Sequence, residues 1–164
     1  EGIVFRQWLA NHMIPYTIKK VEELVEQGHK VVVFTSFDNE IYELQAAFGD
    51  SCVIHNGKLN AVKKTKAVDE FQNNSSKKIF IGNIISAGVG LTLVASDTVV
   101  FNSITFVPGD MLQAEDRVHR LNQDKDCTIY YQVFKDTYME HMFDIVHGKS
   151  EIIDKLIISE KDKH

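Results

Sequence analysis

The run Val31-Val32-Val33-Phe34 places four apolar residues in succession, a pattern typical of a strand that is buried on both faces. A helical pattern over residues 16–27 precedes this run, and Gly28 supplies the residue type that commonly ends a helix. Strands buried on both faces belong to parallel sheets with helices on both sides. The segment therefore predicts an α/β domain with a central, mainly parallel sheet flanked by helices on both faces.

The rest of the chain alternates helical and strand-like patterns at the spacing of an open α/β sheet. Further strands are predicted over residues 52–55, 78–81, 98–102 and 128–134. Helices are predicted over residues 40–48, 60–73 and 113–123, and a mainly helical stretch, broken near Gly148, over 138–158. Ligands of such sheets gather at the carboxyl ends of the strands, so the loops that follow the strands are the candidate sites.

Composition fits one intracellular globular domain, because 164 residues are enough for one sizeable core. The net charge of −5 gives no general attraction to nucleic acid, so phosphate contact requires a local basic patch. No apolar stretch is long enough to span a bilayer, and the start at Glu1 leads us to expect part of a longer protein. Cys52 and Cys127 lack metal-ligand spacing, so we expect reduced core thiols and no metal site.

The run Gln-Ala-Glu-Asp-Arg-Val-His-Arg at residues 113–120 carries the strongest chemical signal. At about 100° per residue, Gln113, Arg117 and Arg120 fall within roughly 60° of one another on a helix, away from the apolar side. The planar fork of arginine suits a transferred phosphoryl group. The residues alone leave open a solvated helix face with an Asp116–Arg120 ion pair.

This run resembles motif VI of superfamily-two helicases, in the form found in Swi/Snf-type DNA translocases and nearest to the annealing-helicase branch. The preceding loop at residues 106–110 contains the proline that the family has there. The resemblance covers about residues 17–145 and implies a RecA-like domain, the second lobe of a two-lobed motor. It implies that Arg120 is the arginine finger that contacts the phosphates of ATP. It also implies that Arg117 contacts the same phosphates and that Gln113 helps to orient them.

Three earlier loops, at residues 35–37, 55–58 and 82–93, resemble further helicase motifs. Asn56 stands where the family more often has Asp, and Val89 stands where the family often has Gly. From the residues alone, an Asn-Gly turn and a solvated lysine-rich helix remain open readings of the second loop. By position, the resemblance implies nucleotide-binding residues Gly88, Gly90 and Thr92. It implies DNA-binding residues Thr35, Ser36, Asn56, Gly57, Lys58, Asn83 and Ser86.

The chain has no Walker A loop, so we expect it not to hydrolyse ATP by itself. The resemblance implies ATP with Mg²⁺, held mainly by a missing N-terminal RecA-like lobe, and double-stranded or branched DNA as partners. We expect residues 1–15 to be an interlobe or linker segment and residues 146–164 a C-terminal helical extension.

Two alternatives remain open. One is the lobe of an RNA helicase, although such helicases usually have Gly where Asp116 stands. The other is a non-catalytic interaction domain that keeps the RecA-like fold, which the acidic net charge and the missing Walker motifs favour.

Overall fold

One parallel sheet organises the residues that the computed structural model describes, which are 2–84, 95–103, 128–134 and 153–158. Within these ranges the strand order is β2-β3-β1-β4-β5-β6, and every neighbouring pair is parallel. The strands are β1 (Val31–Thr35), β2 (Cys52–His55), β3 (Ile79–Asn83), β4 (Thr98–Phe101), β5 (Thr128–Phe134) and β6 (Ile153–Ile158). The helices are α1 (Gly2–Glu26), α2 (Asp38–Phe48) and α3 (Ala61–Asn73), and a 3-10 turn, Gly49–Ser51, follows α2.

Strand β1 is the centre of this sheet and alternates its side chains between two apolar layers. Val31 and Val33 pack with α1 and α2, whereas Val32 and Phe34 pack with α3 on the other face. All five residues of the strand are buried. The predicted α/β sheet with helices on both faces is confirmed.

The layer on the α3 side is built around aromatic rings. Phe101 stacks on Tyr131 with ring centroids 4.5 Å apart, and Phe34 lies 5.4 Å from Phe101. Phe71 of α3 packs on Phe80 of β3 at 5.5 Å. Aromatic pairs at these separations contribute beyond the area that they bury, so this layer stabilises the face of the sheet on which α3 packs.

Helix α1 is longer than the sequence pattern predicted, because it begins at Gly2 and runs into the predicted helix as one piece. The helix ends at Glu26, and Gly28, whose φ is +94°, stops it as predicted. The Gly28 amide donates to the Val25 carbonyl at 3.0 Å and the His29 amide to the Leu24 carbonyl at 3.1 Å, the Schellman pattern that favours glycine. No helix of the described ranges is long and apolar enough to cross a membrane.

The stretch after Gly148 differs from the prediction, because residues 153–158 form strand β6 and not a helix. Its register pairs Ile153 with Ile129 and Ile158 with Phe134. Apolar residues at 152, 153, 156 and 157 also fit helical spacing, which misled the prediction, but β-branched isoleucines favour a strand. The predicted helices over 113–123 and 138–152 lie outside the described residues.

Replacing Phe101 tests the aromatic layer. We expect Phe101→Ala to lower the free energy of unfolding by about 3–5 kcal/mol, because it leaves a cavity between Phe34 and Tyr131. Urea denaturation followed by circular dichroism measures this. Val62→Ala is the control, since Val62 is 77% exposed, and should change the value by less than about 0.5 kcal/mol. Equal losses in the two variants would contradict a core role for Phe101.

Candidate functional site

The carboxyl ends of the strands form one edge of the sheet, where several predicted site residues lie. Thr35 pairs in register with Asn83 at the ends of β1 and β3. Thr35 is fully buried, and its hydroxyl donates to the Gly82 carbonyl at 3.5 Å. Thr35 therefore contributes to this edge by joining two strands.

Ser36 directly follows β1, is half-buried and makes hydrogen bonds to two other residues at the same edge of the sheet. Its amide donates to the Ser103 hydroxyl at 2.9 Å, and the two serine hydroxyl oxygens are also 2.9 Å apart. The Asn83 side-chain amide donates to the Ser36 carbonyl at 3.3 Å. The structure thus brings two of the predicted DNA-binding residues, Ser36 and Asn83, into direct contact.

A buried carboxylate, Glu40, holds the Ser36 loop in place. Its Oε2 atom accepts from the amides of Ser36 at 3.1 Å and Phe37 at 2.7 Å. Phe37 is the N-cap residue of α2 and has no side-chain acceptor for the first amides of the helix. Glu40, at the third helical position, supplies the other half of a capping box by accepting from the Phe37 amide. Burial raises the pKa of Glu40, while hydrogen bonds from Asn102, Ser103 and these amides oppose that shift.

Asn102 extends this contact across the sheet. Its amide nitrogen donates to Glu40 Oε1 at 2.6 Å and to the Ala10 carbonyl at 3.1 Å. Its amide oxygen accepts from the Thr17 hydroxyl at 2.6 Å, and Thr17 in turn accepts from Gln132 at 2.5 Å. We call Glu40, Asn102, Thr17 and Gln132 the buried polar chain. It connects α2, the residue that follows β4, α1 and β5, and each member is at most 2% exposed.

The loop after β2 has a different character, because two of its residues face solvent. Gly57 and Lys58 are exposed, whereas Asn56 is 1% exposed. The Asn56 carbonyl oxygen of the side chain accepts from the Lys58 amide at 3.1 Å, which forms an Asx turn. Asn56 therefore shapes the loop from inside, and the residues available for direct contact are Gly57 and Lys58.

His55 ends β2 beneath this loop and is 2% exposed. Its ring lies 5.7 Å from that of Phe80, and its Nδ1 atom has no hydrogen-bond partner within the described residues. Burial lowers the pKa of His55, and the nearby Lys64 lowers it further. The imidazole is therefore held neutral in an apolar setting.

The predicted nucleotide-binding and catalytic residues lie outside the described residues, and so does Ser86. These are Gly88, Gly90, Thr92, Gln113, Arg117 and Arg120. Their roles stay predictions. Cys127 also lies outside, while Cys52 is a buried free thiol whose pKa is raised by burial.

The described part of the edge does not fit a Mg²⁺ site. No three His, Cys, Asp or Glu side chains gather there in a way that could hold a metal ion. The carboxylate of Glu40 is already engaged with two backbone amides and Asn102.

Sequence reasoning missed the buried polar chain. The sequence predicts Glu40 at the start of a helix and Asn102 at the end of a strand, and neither pattern indicates that the two side chains meet. The one available signal was a set of polar residues at the ends of apolar elements, where a solvated side chain is equally common.

Comparison with known proteins shows which family the chain belongs to. Residues 16–122 match the family "Helicase conserved C-terminal domain". The chain belongs to this family. The matched range includes strands β1 to β4 and the predicted motif VI, which confirms the predicted helicase relationship.

Relatives of this helicase domain are Swi/Snf-type proteins. The chain is 35% identical over 103 residues to "SWI/SNF-related matrix-associated actin-dependent regulator of chromatin subfamily A-like protein 1 homolog" of Caenorhabditis elegans, covering 63% of this chain and 15% of that protein. It is 30% identical over 107 residues to human "DNA annealing helicase and endonuclease ZRANB3", covering 65% of this chain and 10% of that protein. The predicted closeness to the annealing-helicase branch is confirmed.

Solved structures show the same fold. The C-terminal part of the Fun30 ATPase domain superposes with a TM-score of 0.69 at 24% identity, covering 84% of this chain and 46% of that one. The Sulfolobus solfataricus SWI2/SNF2 ATPase core in complex with dsDNA gives 0.65 at 24% identity, covering 82% and 29%. The RecA-like fold expected for a helicase-type lobe is confirmed.

Exchanging Glu40 tests the buried polar chain. We expect Glu40→Gln to lower the free energy of unfolding by about 1–3 kcal/mol. The groups that surround the Glu40 oxygens are all donors, so the side-chain amide nitrogen of glutamine would face either the Asn102 amide nitrogen or the backbone amides of Ser36 and Phe37. Thermal and urea unfolding measure this. Glu43→Gln on the exposed side of α2 is the matched control and should change stability by less than about 0.5 kcal/mol. An unchanged Glu40→Gln protein would show that the carboxylate is dispensable.

The buried imidazole of His55 predicts a pH dependence. Its folded-state pKa lies below the ordinary value of 6.5, so the unfolded chain takes up the proton first as pH falls. The free energy of unfolding should therefore fall below about pH 6.5, by up to about 1.4 kcal/mol per pH unit from this group. Urea unfolding between pH 7.5 and 5.5 measures the slope.

His55→Phe should flatten that pH slope, since phenylalanine fits beside Phe80 and does not titrate. Val62→Phe is the control, because Val62 is 77% exposed on α3 and its replacement removes no titratable group, so the slope should stay as in the parent. Identical slopes in the parent and His55→Phe would refute the assignment.

Proposed function

We propose that this chain is the C-terminal motor lobe of an ATP-dependent double-stranded DNA translocase of the Swi/Snf type. The observation that carries this proposal is that predicted DNA contacts from three separate segments all lie at the carboxyl edge of one parallel sheet. These residues are Ser36, Asn83, Gly57 and Lys58. That edge is where open α/β sheets bind ligands. The family match and the DNA-bound SWI2/SNF2 core of similar fold support the same function.

The DNA track would run over the ends of β2, β3 and β1. Exposed Gly57 allows close backbone approach, and Lys58 supplies positive charge without reading any base. Helix α3 begins three residues later with Asn60 as its cap, which adds the positive end of a helix dipole to the same region. Thr35 and Asn56 would shape the track from inside, and Ser36, Asn83 and Ser86 would line it.

The nucleotide side would be supplied by the two segments that the family motifs mark. Arg120 would act as the arginine finger on ATP bound in the upstream lobe, Arg117 would contact the same phosphates and Gln113 would orient them. Gly88, Gly90 and Thr92 would lie beside the nucleotide. ATP with Mg²⁺ supplies the phosphoryl group that is hydrolysed, and most of its ligands would come from the upstream lobe.

The motor would then work by closing and opening the two lobes at DNA. Strand β4 ends at the same edge as the Ser36 loop, and the predicted motif VI lies between β4 and β5 in the chain. A movement of the arginine-bearing segment would therefore reach the DNA-facing loops through Ser103, Ser36 and Asn83. The lobe alone would not hydrolyse ATP.

The test is the ATPase activity of a two-lobed protein that carries this chain, with duplex DNA and with RNA. We expect duplex-stimulated turnover, and a loss of about 10³-fold or more in Arg120→Ala, because the finger stabilises charge in the transition state. Arg120→Lys should recover little, since it keeps the charge without the fork. Lys19→Ala, an exposed cation on α1, is the control and should match the parent.

The outcomes separate the alternatives. Stronger stimulation by RNA than by duplex DNA would favour an RNA helicase lobe. Turnover that is unaffected by Arg120→Ala would refute the finger, and no activity with any nucleic acid would favour a non-catalytic interaction domain.

A further inference from the structure

We propose that Tyr42 is a positioning residue that aligns Lys58 for contact with a DNA phosphate. The inference rests on the proposed function, in which Lys58 belongs to the DNA track. Tyr42 lies on α2 and is 43% exposed, although a helix facing the sheet usually buries its aromatic residues. Its two functional parts, the hydroxyl and the ring, each meet a different residue of the Asn56–Lys58 loop.

The Tyr42 hydroxyl anchors the loop from outside. The Asn56 side-chain amide nitrogen donates to the Tyr42 oxygen at 3.2 Å, while the Asn56 side-chain oxygen accepts from the Lys58 amide. Asn56 is nearly fully buried, so both of its polar groups need partners. Tyr42 therefore helps to fix the turn that presents Lys58.

The Tyr42 ring holds the other end of the lysine. The Lys58 ammonium lies 5.8 Å from the ring centroid, within the range of a cation–π interaction. None of the three ion pairs in the described part of the chain involves Lys58. Its charge is thus placed over an uncharged aromatic face and is not neutralised by a carboxylate there.

This placement matters for affinity because a free lysine side chain is flexible. Ordering it on a phosphate costs conformational entropy, and part of that cost is met in advance when the side chain already lies over a ring. A residue that acts in this way should affect DNA affinity only when Lys58 is present. That condition distinguishes positioning from a general effect on folding.

The experiment measures duplex DNA binding by fluorescence anisotropy in the two-lobed protein, at about 50 and 200 mM salt. The variants are Lys58→Ala, Tyr42→Leu, Tyr42→Phe and the double variant of Lys58→Ala with Tyr42→Leu. Lys19→Ala is the control for loss of one exposed positive charge on another helix.

We expect Lys58→Ala to weaken binding and to reduce the salt slope by about 1. Tyr42→Leu should raise Kd about two- to fivefold in the parent, and should cause no further change in the Lys58→Ala background. Tyr42→Phe, which keeps the ring, should lose less than Tyr42→Leu. Lys19→Ala should bind as the parent does.

Three results would overturn the inference. If Tyr42→Leu weakens binding equally in both backgrounds, Tyr42 acts through general stability. If Lys58→Ala weakens binding and Tyr42→Leu does not, the result supports the DNA contact of Lys58 and refutes its positioning by Tyr42. If Lys58→Ala leaves both affinity and salt slope unchanged, the proposed DNA contact at Lys58 fails, and the role of Tyr42 fails with it.

Discussion

The hydrogen bond between Asn102 and the buried carboxylate of Glu40 is the contact on which the carboxyl edge of the sheet depends. A carboxylate loses hydration energy when it is buried, and the loss is acceptable only if its oxygens are fully hydrogen-bonded. Glu40 meets this condition with Asn102 and two backbone amides. The consequence is a fixed geometry, because moving either α2 or the end of β4 would leave charged oxygens buried without donors.

The edge therefore divides into a rigid centre and an accessible side. At the centre, Ser36, Ser103 and Asn83 are tied to one another and to Glu40. Toward β2, Gly57 and Lys58 face solvent on a turn that Asn56 supports from within. The proposed motor function would need both parts, because a grip on a phosphate backbone transmits movement only if the gripping loop is fixed to the body of the domain.

The sequence was a good guide to elements with strong local patterns and a poor one to long-range polar contacts. The apolar run at Val31 and the glycine at Gly28 predicted β1 and the end of α1, because burial and backbone conformation act locally. The buried polar chain joins residues that are 62 to 115 positions apart, and no local pattern encodes such pairs.

Two further differences have the same physical origin. Asn56 was predicted as a DNA contact, but its side chain faces inward, and a single sequence does not show which face of a loop a residue occupies. The stretch at 153–158 has an apolar spacing that fits a helix, and pairing with β5 decided in favour of a strand. Motif resemblance, in contrast, identified the family from residues whose arrangement the structure does not describe.

Strand β6 has a consequence for how the domain is made. Until residues 153–158 have left the ribosome, β5 is the edge of the growing sheet, with backbone groups along one side that lack a partner strand. Parallel pairing cannot be completed by a tight hairpin, so β5 must wait for the whole connection after Phe134 to be synthesised. Strand β5 is thus open to mispairing on that side during synthesis. The buried polar chain, whose last member Gln132 lies in β5, gives the strand a second attachment to the body of the domain in that interval.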